Sequence, residues 1–334
     1  MSLESLRKDL SSSNTMALPC VAEQFFELSS EQAISDFFYA HPEDVLILGG
    51  GSNVVLPPVI QRPVVQVVNH TLECIARDLD HVVVKVGASV VWDELVAWAV
   101  ENSYYGLENL SLIPGSVGAA PVQNIGAYGV ELKDLLKSVR AFDRVQRVFV
   151  DLSNERCCFG YRDSIFKREC GRYVISEVVL RLARKAQFVL EYGELKTLSH
   201  EANLSLSKVR DTVIGVRSAK LPDPKVIPNT GSFFKNPVIS RSTCEVLKQR
   251  FPSLVCYPAG EGSMKLAAGW LIENAGLKGY VQGNASVHDK QALVLTNQGG
   301  AQQQDIIRLA SYVEDKIKDL YGIELEQEPI LIRD

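Results

Sequence analysis

The spacing of apolar and polar residues divides the chain into short strands, short helices and a few glycine-rich loops. Within 29–40, Ile34, Phe37 and Phe38 share one helical face, and Ser29 with Gln32 resembles a capping box. The same pattern predicts further helices at 92–102, from Ser242 onwards, at 265–274 and at 304–320. Strands are predicted at 45–48, 62–68, 82–91, 138–151, 172–184, 292–296 and 323–332.

Two loops and one turn interrupt this pattern. The strand 45–48 runs directly into a glycine loop at 49–53, and the β-branched residues and prolines of 54–58 cannot open a helix after it. The segment 109–130 is rich in Gly, Ala, Ser and Pro and is too long to be a mere connection. The Leu-Pro-Asp-Pro run at 221–224 is turn-prone, so it predicts a domain boundary.

Composition narrows the class of protein. The chain has 334 residues, which predicts about two domains, or three if they are small. Its net charge of −5 leaves no basic footprint for nucleic acid or an anionic membrane. No run of about 18 apolar residues exists, and the polar segment 1–14 has no apolar core of a leader peptide. We therefore expect a cytoplasmic protein without a nucleic-acid or membrane partner.

Cysteine and histidine do not indicate a metal centre. The seven cysteines are scattered without a C-x-x-C pair, and the five histidines are isolated in sequence. Neither set has the ligand spacing of a zinc site. We therefore expect no metal, and thiols that are reduced and mostly structural.

The glycine loop 49–53 does not match a common nucleotide-binding fingerprint. It lacks the third glycine of G-x-G-x-x-G, no helix follows it, and the chain contains no P-loop motif. From this loop alone, an anion-binding nest and an ordinary tight turn remain equally open. The second segment, 113–129, begins almost entirely with small residues that allow close backbone approach to a ligand. Together the two segments favour a dinucleotide held without a Rossmann domain.

Five motifs then point to a family. The pair L-G-G-G-S-N (48–53) and I-P-G-S-V-G-A-A-P-V-Q-N-I-G-A-Y-G (113–129) resembles a flavin domain of the vanillyl-alcohol-oxidase type. With G-Y-R-D-S (160–164), N-T-G-S-F-F-K-N-P (229–237) and L-E-Q-E (325–328), the chain resembles the UDP-N-acetylenolpyruvoylglucosamine reductases from about residue 14 to 330. The segment 192–195 and the stretch up to 220 resemble the form of that family with a tyrosine-bearing loop.

The resemblance implies an α+β fold, with a two-part FAD-binding module of the vanillyl-alcohol-oxidase type and a smaller α+β substrate-binding domain. The implied domains are 1–68 with the terminal strand 321–334, then 69–220, then 221–320. FAD would be held non-covalently between the first two, with its pyrophosphate against 49–53 and 115–119. The third domain would cover the flavin, with the substrate between.

The implied reaction uses NADPH to reduce UDP-N-acetylglucosamine enolpyruvate, a small sugar nucleotide, to UDP-N-acetylmuramate in peptidoglycan precursor synthesis. The protein would act as a monomer. Hydride addition to the enolpyruvyl ether leaves an enolate that a positioned cation must stabilise and an acid must protonate. Two alternatives remain: a flavin-dependent alcohol or sugar oxidase of the same fold, and a non-catalytic regulator that binds sugar nucleotides.

Residue roles are carried over from the motifs. The implied catalytic residues are Arg162, Ser232 and Glu328. The implied cofactor contacts are Gly49, Gly50, Gly51, Ser52, Asn53, Ile113, Pro114, Gly115, Ser116, Gly118, Ala119, Val122, Asn124, Gly126, Tyr128 and Ile175. The implied substrate contacts are Tyr161, Tyr192, Lys220, Asn236, Tyr257 and Lys265.

Without the resemblance, simpler interpretations of the catalytic residues hold. Arg162 would be a surface arginine paired with Asp163, and Ser232 would be a turn serine. Glu328 would belong to the solvated face of a terminal strand, together with Glu324 and Glu326.

Overall fold

The computed structural model describes residues 5–334. The α-helices are α1 Glu31–Ala40, α2 Trp92–Glu101, α3 Ile165–Arg168, α4 Leu206–Lys220, α5 Arg241–Arg250, α6 Ala268–Asn274 and α7 Gln303–Tyr321. The strands are β1 Leu6–Asp9, β2 Val21–Leu28, β3 Leu46–Ile47, β4 Val54–Val55, β5 Val59–Ile60, β6 Val64–Val67, β7 Leu72–Arg77, β8 His81–Gly87, β9 Gly126–Ala127, β10 Val130–Glu131, β11 Leu136–Asp143, β12 Val148–Ser153, β13 Tyr173–Ala183, β14 Asn229–Ser232, β15 Val238–Ser240, β16 Cys256–Pro258, β17 Ser263–Leu266, β18 Val281–Gln282, β19 Ala285–Val287, β20 Val294–Asn297 and β21 Ile330–Leu331.

The chain forms two compact units. Unit 1 comprises residues 5–8, Ala22–Gly51 and Ile60–Ala219, and unit 2 comprises Asp9–Val21, Ser52–Val59 and Lys220–Asp334. The division of the chain into three domains at 1–68, 69–220 and 221–320 stays a prediction.

Unit 1 is built on two sheets. Strands β2, β6 and β3 pair in parallel, and α1 packs its apolar face, Ile34, Phe37 and Phe38, into the core beside them. The second sheet has the order β12-β11-β13-β8-β7 and is antiparallel. Its core includes Trp92 and Leu95 of α2, since both are fully buried. The first glycine-rich segment follows β3, and the second begins after α2.

Unit 2 packs antiparallel strands against helices. Its sheets have the orders β14-β20-β19-β18 and β15-β17-β16. A short parallel pair, β4 with β21, joins 54–55 to the end of the chain. Helix α7 contributes Ile306, Val313 and Ile317 to the core, which confirms the helical periodicity of 304–320.

Local structure differs from the sequence-based expectations in four places. The N-cap of α1 is Ser30 instead of Ser29, because the Ser30 hydroxyl accepts from Ala33 N at 3.1 Å. In the same way Ser240, instead of Ser242, caps α5. The terminal strand shrinks from 323–332 to Ile330–Leu331, and 265–266 belong to β17 instead of a helix. The sequence analysis also missed α4.

The expectations of no membrane-spanning helix and no metal site can be compared only with the described residues. Among residues 5–334, no helix is both long and apolar enough to cross a membrane. In the same residues, no three His, Cys, Asp or Glu side chains are grouped as metal ligands. The first four residues of the polar segment 1–14, used to argue against a leader peptide, lie outside the described part.

Candidate functional site

The two glycine segments of unit 1 lie against each other. We call residues 49–51 and 115–119 the glycine cradle. A Cβ atom on Gly49 would lie 3.1 Å from Ser116 Oγ, and one on Gly50 would lie 3.3 Å from Gly115 Cα. Gly51 and Gly115 have positive φ angles of 66° and 117°, which favour glycine. Backbone therefore approaches backbone here as closely as glycine allows.

Backbone hydrogen bonds fix the second half of the cradle. Val117 N donates to Val90 O, and Gly118 N donates to Ala88 O, each at 2.9 Å. A Cβ on Gly118 would lie 2.6 Å from the Ala88 Cβ. Gly118 is therefore required by packing against Ala88 within unit 1. This is a different physical reason from the close approach to phosphate that its motif implies.

The cradle is chemically suited to the diphosphate of a dinucleotide, because glycine-rich backbone can bind anions through its N–H groups. The N–H groups of residues 117–119 already donate within unit 1, so those of 49–51 and 115–116 would serve. The other two residues of the first loop, Ser52 and Asn53, belong to unit 2. There Ser52 O accepts from Thr15 Oγ1 at 3.2 Å, and Asn53 Nδ2 donates to Glu328 O at 3.2 Å.

Arg162 is held by the glycine-rich segment instead of by its neighbour in sequence. Its Nη2 donates to Gly126 O at 2.7 Å, and its backbone has a positive φ of 53°. The carboxylate of Asp163 forms an ion pair with Arg168. The simple interpretation of Arg162 as a surface partner of Asp163 is therefore wrong. A left-handed backbone at a non-glycine residue often marks a functional site.

Asn124 ties the loops around Arg162 together. This buried side chain donates to Glu131 Oε2 at 2.9 Å and to Gly160 O at 3.0 Å, and it accepts from Lys133 N at 3.0 Å. Ser164 adds a 2.6 Å hydrogen bond to Val122 O. The amide of Asn124 is thus committed to the framework that positions Arg162.

Arg217 on α4 is a candidate that the sequence analysis missed. Its Nε is buried and has no hydrogen-bond partner. Burial lowers the pKa of its guanidinium; the charge of Arg162 adds to this, and Tyr128 and Asp93 oppose it. Unit 1 therefore carries a second guanidinium, whose ionisation the charge of Arg162 disfavours. The only available signal was its position three residues before Lys220, which predicts one helical face.

An ion pair anchors α4. Arg210 donates two hydrogen bonds to Asp93 of α2, at 2.8 and 2.9 Å. Burial of Asp93 opposes its ionisation, but the bonds from Arg210 and Leu112 N outweigh burial and lower the pKa of the carboxyl. This anchor holds the helix that carries Arg217.

The tyrosine segment packs on the second glycine region. A Cβ on Gly129 would lie 2.9 Å from the Tyr192 ring, so Tyr192 occupies the space that this glycine leaves. Asn109 Nδ2 donates to Tyr128 O at 2.9 Å and to Val189 O at 2.8 Å. The structure thus brings Tyr128 and Tyr192 into one region, with Tyr192 58% exposed.

In unit 2, Ser232 ends a strand with an irregular register. β14 pairs with β20 at Asn229 and Ser232, with a bulge between them, and Gly231 has a φ of 75°. Asn229 Oδ1 accepts from Gly231 N at 2.7 Å, which fixes the bulge. Phe233 and Phe234 are each 1% exposed, so they anchor the chain directly after Ser232.

The segment 326–328 runs beside this strand end. Glu328 N donates to Phe233 O and Lys235 N donates to Glu326 O, each at 2.8 Å. The Glu326 carboxylate is exposed and forms an ion pair with Lys235, whereas Glu328 is half-buried. Glu326 and Glu328 are two residues apart, so they would lie on the same side of a strand, but their environments differ.

Two predicted substrate residues face each other in a second sheet of unit 2. Tyr257 of β16 lies directly opposite Lys265 of β17 in the antiparallel register. Asn236 Oδ1 accepts from Ala268 N at 3.0 Å, which satisfies the first N–H group of α6. Lys220 is exposed and is the last residue of α4.

The remaining predicted residues lie in unit 1. Ile175 is in the apolar core, against which Ile113 and Val122 pack. The Tyr161 ring lies under the Arg162 guanidinium, 5.5 Å from its Cζ. Pro114 is exposed and Ala119 is half-buried.

Family models match both parts of the chain. A model described as "FAD binding domain" matches residues 28–148, and one described as "UDP-N-acetylenolpyruvoylglucosamine reductase, C-terminal domain" matches residues 223–332. These matches confirm the α+β fold class, with its FAD-binding module followed by a smaller domain.

Curated relatives cover nearly the whole chain. A UDP-N-acetylenolpyruvoylglucosamine reductase from Bdellovibrio bacteriovorus is 48% identical, over 96% of this chain and 97% of its own length. The enzyme of the same name from Neisseria gonorrhoeae is 46% identical, over 97% and 96%. The solved UDP-N-acetylenolpyruvylglucosamine reductase from Thermus caldophilus shares the fold, with a TM-score of 0.72 at 22% identity, over 99% of this chain and 100% of that chain.

Proposed function

The chain belongs to the family of UDP-N-acetylenolpyruvoylglucosamine reductases, and we propose that Arg162, Ser232 and Glu328 carry out its chemistry. Relatives 44–48% identical over nearly the full length show that it is an FAD-dependent, NADPH-consuming oxidoreductase of peptidoglycan precursor synthesis. It reduces UDP-N-acetylglucosamine enolpyruvate to UDP-N-acetylmuramate. The predicted family, activity and cofactors are thereby confirmed.

The glycine cradle is proposed to hold the FAD diphosphate, with Ser52 and Asn53 of unit 2 as further contacts. Support comes from the contact of the two glycine-rich segments, where a Cβ on Gly50 would lie 3.3 Å from Gly115 Cα. Bound FAD supplies the hydride that is added to the enolpyruvyl group. The first glycine loop contains no His or Cys, so it offers no covalent tether for a flavin.

Arg162 is proposed to bind the carboxylate of the enolpyruvyl group and to stabilise its enolate. A guanidinium remains charged and presents a planar fork of donors to a carboxylate. Its left-handed backbone and its bond to Gly126 O restrict its position. Positioned charge of this kind is usually the largest catalytic contribution. Arg217 adds a second positive charge on the same unit.

Ser232 is proposed to protonate the enolate carbon. A hydroxyl is a weak acid, so the transfer depends on holding the serine in contact with a basic carbon. The bulge at Gly231 and the buried Phe233 and Phe234 hold the Ser232 backbone in one conformation. Arg162 belongs to unit 1 and Ser232 to unit 2.

Glu328 is proposed to orient the substrate carboxylate or Arg162, or to share a proton with the enolate. It is half-buried, and its backbone is bonded to both Phe233 and Asn53. Glu326 is a weaker candidate because Lys235 already engages it at the surface. Tyr161, Tyr192, Lys220, Asn236, Tyr257 and Lys265 are proposed as contacts to the sugar nucleotide.

One observation carries the assignment of Arg162 as a catalytic residue: it bonds to the glycine-rich segment, while its neighbour Asp163 pairs with Arg168.

We also propose that the protein acts as a monomer in the cytoplasm, where NADPH and nucleotide sugars are available. Size-exclusion chromatography with light scattering tests the monomer, and a fluorescent fusion tests the location.

The reaction is tested on the purified protein. We expect non-covalent flavin that acid releases intact, that NADPH bleaches, and that the enolpyruvyl sugar nucleotide reoxidises without oxygen. Parallel initial-rate plots are expected if both substrates use one site in turn. Reoxidation only by dioxygen would favour the oxidase, and sugar-nucleotide binding without any turnover would favour the regulator.

A further inference from the structure

Two cysteines of unit 2 lie in sulfur contact. Cys244 is in the first half of α5, and Cys256 is the first residue of β16. Their Sγ atoms are 3.3 Å apart, with the Cys244 thiol placed to donate to Cys256. Cys244 is buried, and Cys256 is partly exposed. A disulfide requires the sulfurs to approach to about 2.05 Å, so only a small further movement is needed.

We propose that Cys244 and Cys256 form a redox-sensitive dithiol that a peroxide converts to a disulfide. Cys256 is the sulfur that reacts first, because it is accessible and accepts the hydrogen bond. Burial, and then the bond to Cys256, raises the pKa of the Cys244 thiol and keeps it protonated until it is needed.

Oxidation of the two thiols by hydrogen peroxide takes two steps. The Cys256 thiolate attacks hydrogen peroxide, which yields a sulfenic acid at Cys256 and releases hydroxide. The Cys244 sulfur then attacks the Cys256 sulfur; its proton leaves with the sulfenic hydroxyl as water. Together the thiols lose two electrons and two protons to the peroxide, and a thiol reductant reverses the change.

The other cysteines are less suited to this reaction. Burial raises the pKa of the Cys20 thiol to about 11 and that of Cys157 to about 12. Cys74, Cys158 and Cys170 are exposed, which makes them internal controls for simple accessibility. Contact between two thiols, one of them accessible, distinguishes the pair of Cys244 and Cys256.

Oxidation would act on the strand that faces Lys265. Cys256 immediately precedes Tyr257, and β16 pairs only three residues with β17. Drawing the two sulfurs together therefore displaces a short strand that carries a proposed substrate contact. This consequence rests on the proposed function, and we expect oxidation to raise KM for the sugar nucleotide several-fold with little change in kcat.

The holoenzyme is treated with hydrogen peroxide and mapped by mass spectrometry without reduction. We expect a peptide pair linked through Cys244 and Cys256, with the loss of two hydrogen atoms, and reversal by dithiothreitol. Cys256→Ser should abolish the link and the change in KM. Cys244→Ser should leave Cys256 to proceed to sulfinic acid, and Cys170→Ser should change nothing.

The outcomes separate the two proposals. An enzyme that is active before treatment but forms no link between Cys244 and Cys256 after peroxide overturns the dithiol. A link that leaves KM unchanged overturns its connection to Tyr257. Loss of activity in the untreated enzyme counts against the proposed function instead, because the linked peptides are detected independently of turnover.

Discussion

The glycine cradle of unit 1 and the Ser232 strand end of unit 2 are built in opposite ways. In the cradle, the proposed FAD binding depends on backbone atoms of two glycine-rich segments that meet at Gly50 and Gly115. At the strand end, function is assigned to one hydroxyl, and buried Phe233 and Phe234 fix the backbone that carries it. Substitution should therefore impair binding in the first region and a single chemical step in the second.

The largest effect is expected from Ser232→Ala. Flavin bleaching by NADPH should stay normal, because it needs no proton at the substrate carbon. Reoxidation by the sugar nucleotide should slow by about 10²–10⁴-fold, the range for loss of general acid catalysis. Stopped-flow absorbance of each half-reaction measures this. Ser232→Cys should recover part of the loss, and Ser253→Ala, at an exposed serine, is the matched control. Equal slowing of both half-reactions would make Ser232 structural.

Gly50→Val should weaken FAD binding and have less effect on the rates of flavin reduction and reoxidation in the enzyme that still binds FAD. The new Cβ would lie 3.3 Å from Gly115 Cα, and the branched side chain would force the cradle apart. Overpacking typically costs about 1–3 kcal/mol, so affinity should fall by about tenfold or more. Flavin titration of the apoprotein measures this. The control is Gly215→Ala on α4, where a Cβ meets nothing within 4 Å. Unchanged affinity in Gly50→Val would remove the cradle from the cofactor site.

The two glutamates beside Ser232 give a smaller, paired contrast. Glu328→Gln should lower kcat by about tenfold, because the carboxylate that orients the reacting groups or shares a proton with the enolate is lost. Glu326→Gln should change kcat by less than about twofold, since surface ion pairs contribute little. Steady-state rates at saturating substrate measure both. The reverse order would transfer the role to Glu326.

The smallest effect concerns the framework of unit 1. Asp93→Asn should lower the free energy of unfolding by about 1–2 kcal/mol at neutral pH, because the partly buried bonds to Arg210 are weakened. The folded-state pKa of Asp93 lies below its unfolded value. Its contribution is therefore present above about pH 4 and is lost as the pH falls through the folded pKa. Urea unfolding at a series of pH values from 7 downwards measures this, and a difference in unfolding free energy that does not shrink as the pH falls below about 4 would contradict it.

Long motifs made much of this protein accessible from its sequence. Two glycine segments and three shorter motifs, in the right order, indicated the family that the relatives then confirmed. Apolar periodicity also located α1, α2 and α7, because burial of one helical face is a local property of the sequence. The roles of the individual residues stay proposals that the experiments above address.

The ends of helices, and the helix α4 that was not predicted, show where the local sequence pattern is insufficient to predict structure. Both Ser29 and Ser30 are acceptable N-caps, and only the folded backbone selects Ser30. The helix α4 has apolar residues on a narrow face. Val209 and Val213 pack with Leu195 and Leu198, and Arg210 donates to Asp93, which is far away in sequence. No short window of sequence contains that contact.

By itself, the sequence determined the family, the reaction, the cofactors and the fold class, because each follows from residue types in a fixed order. Tertiary structure alone decided which atoms those residues use. In the folded chain Asp163 forms an ion pair with Arg168, and the side chains of Asn124 and Asn236 bind backbone atoms of other segments. Gly118 packs against Ala88, and the charge of Arg162 acts on Arg217. These outcomes depend on which segments meet in space, and hydrogen bonding and close packing act between segments that are distant in sequence.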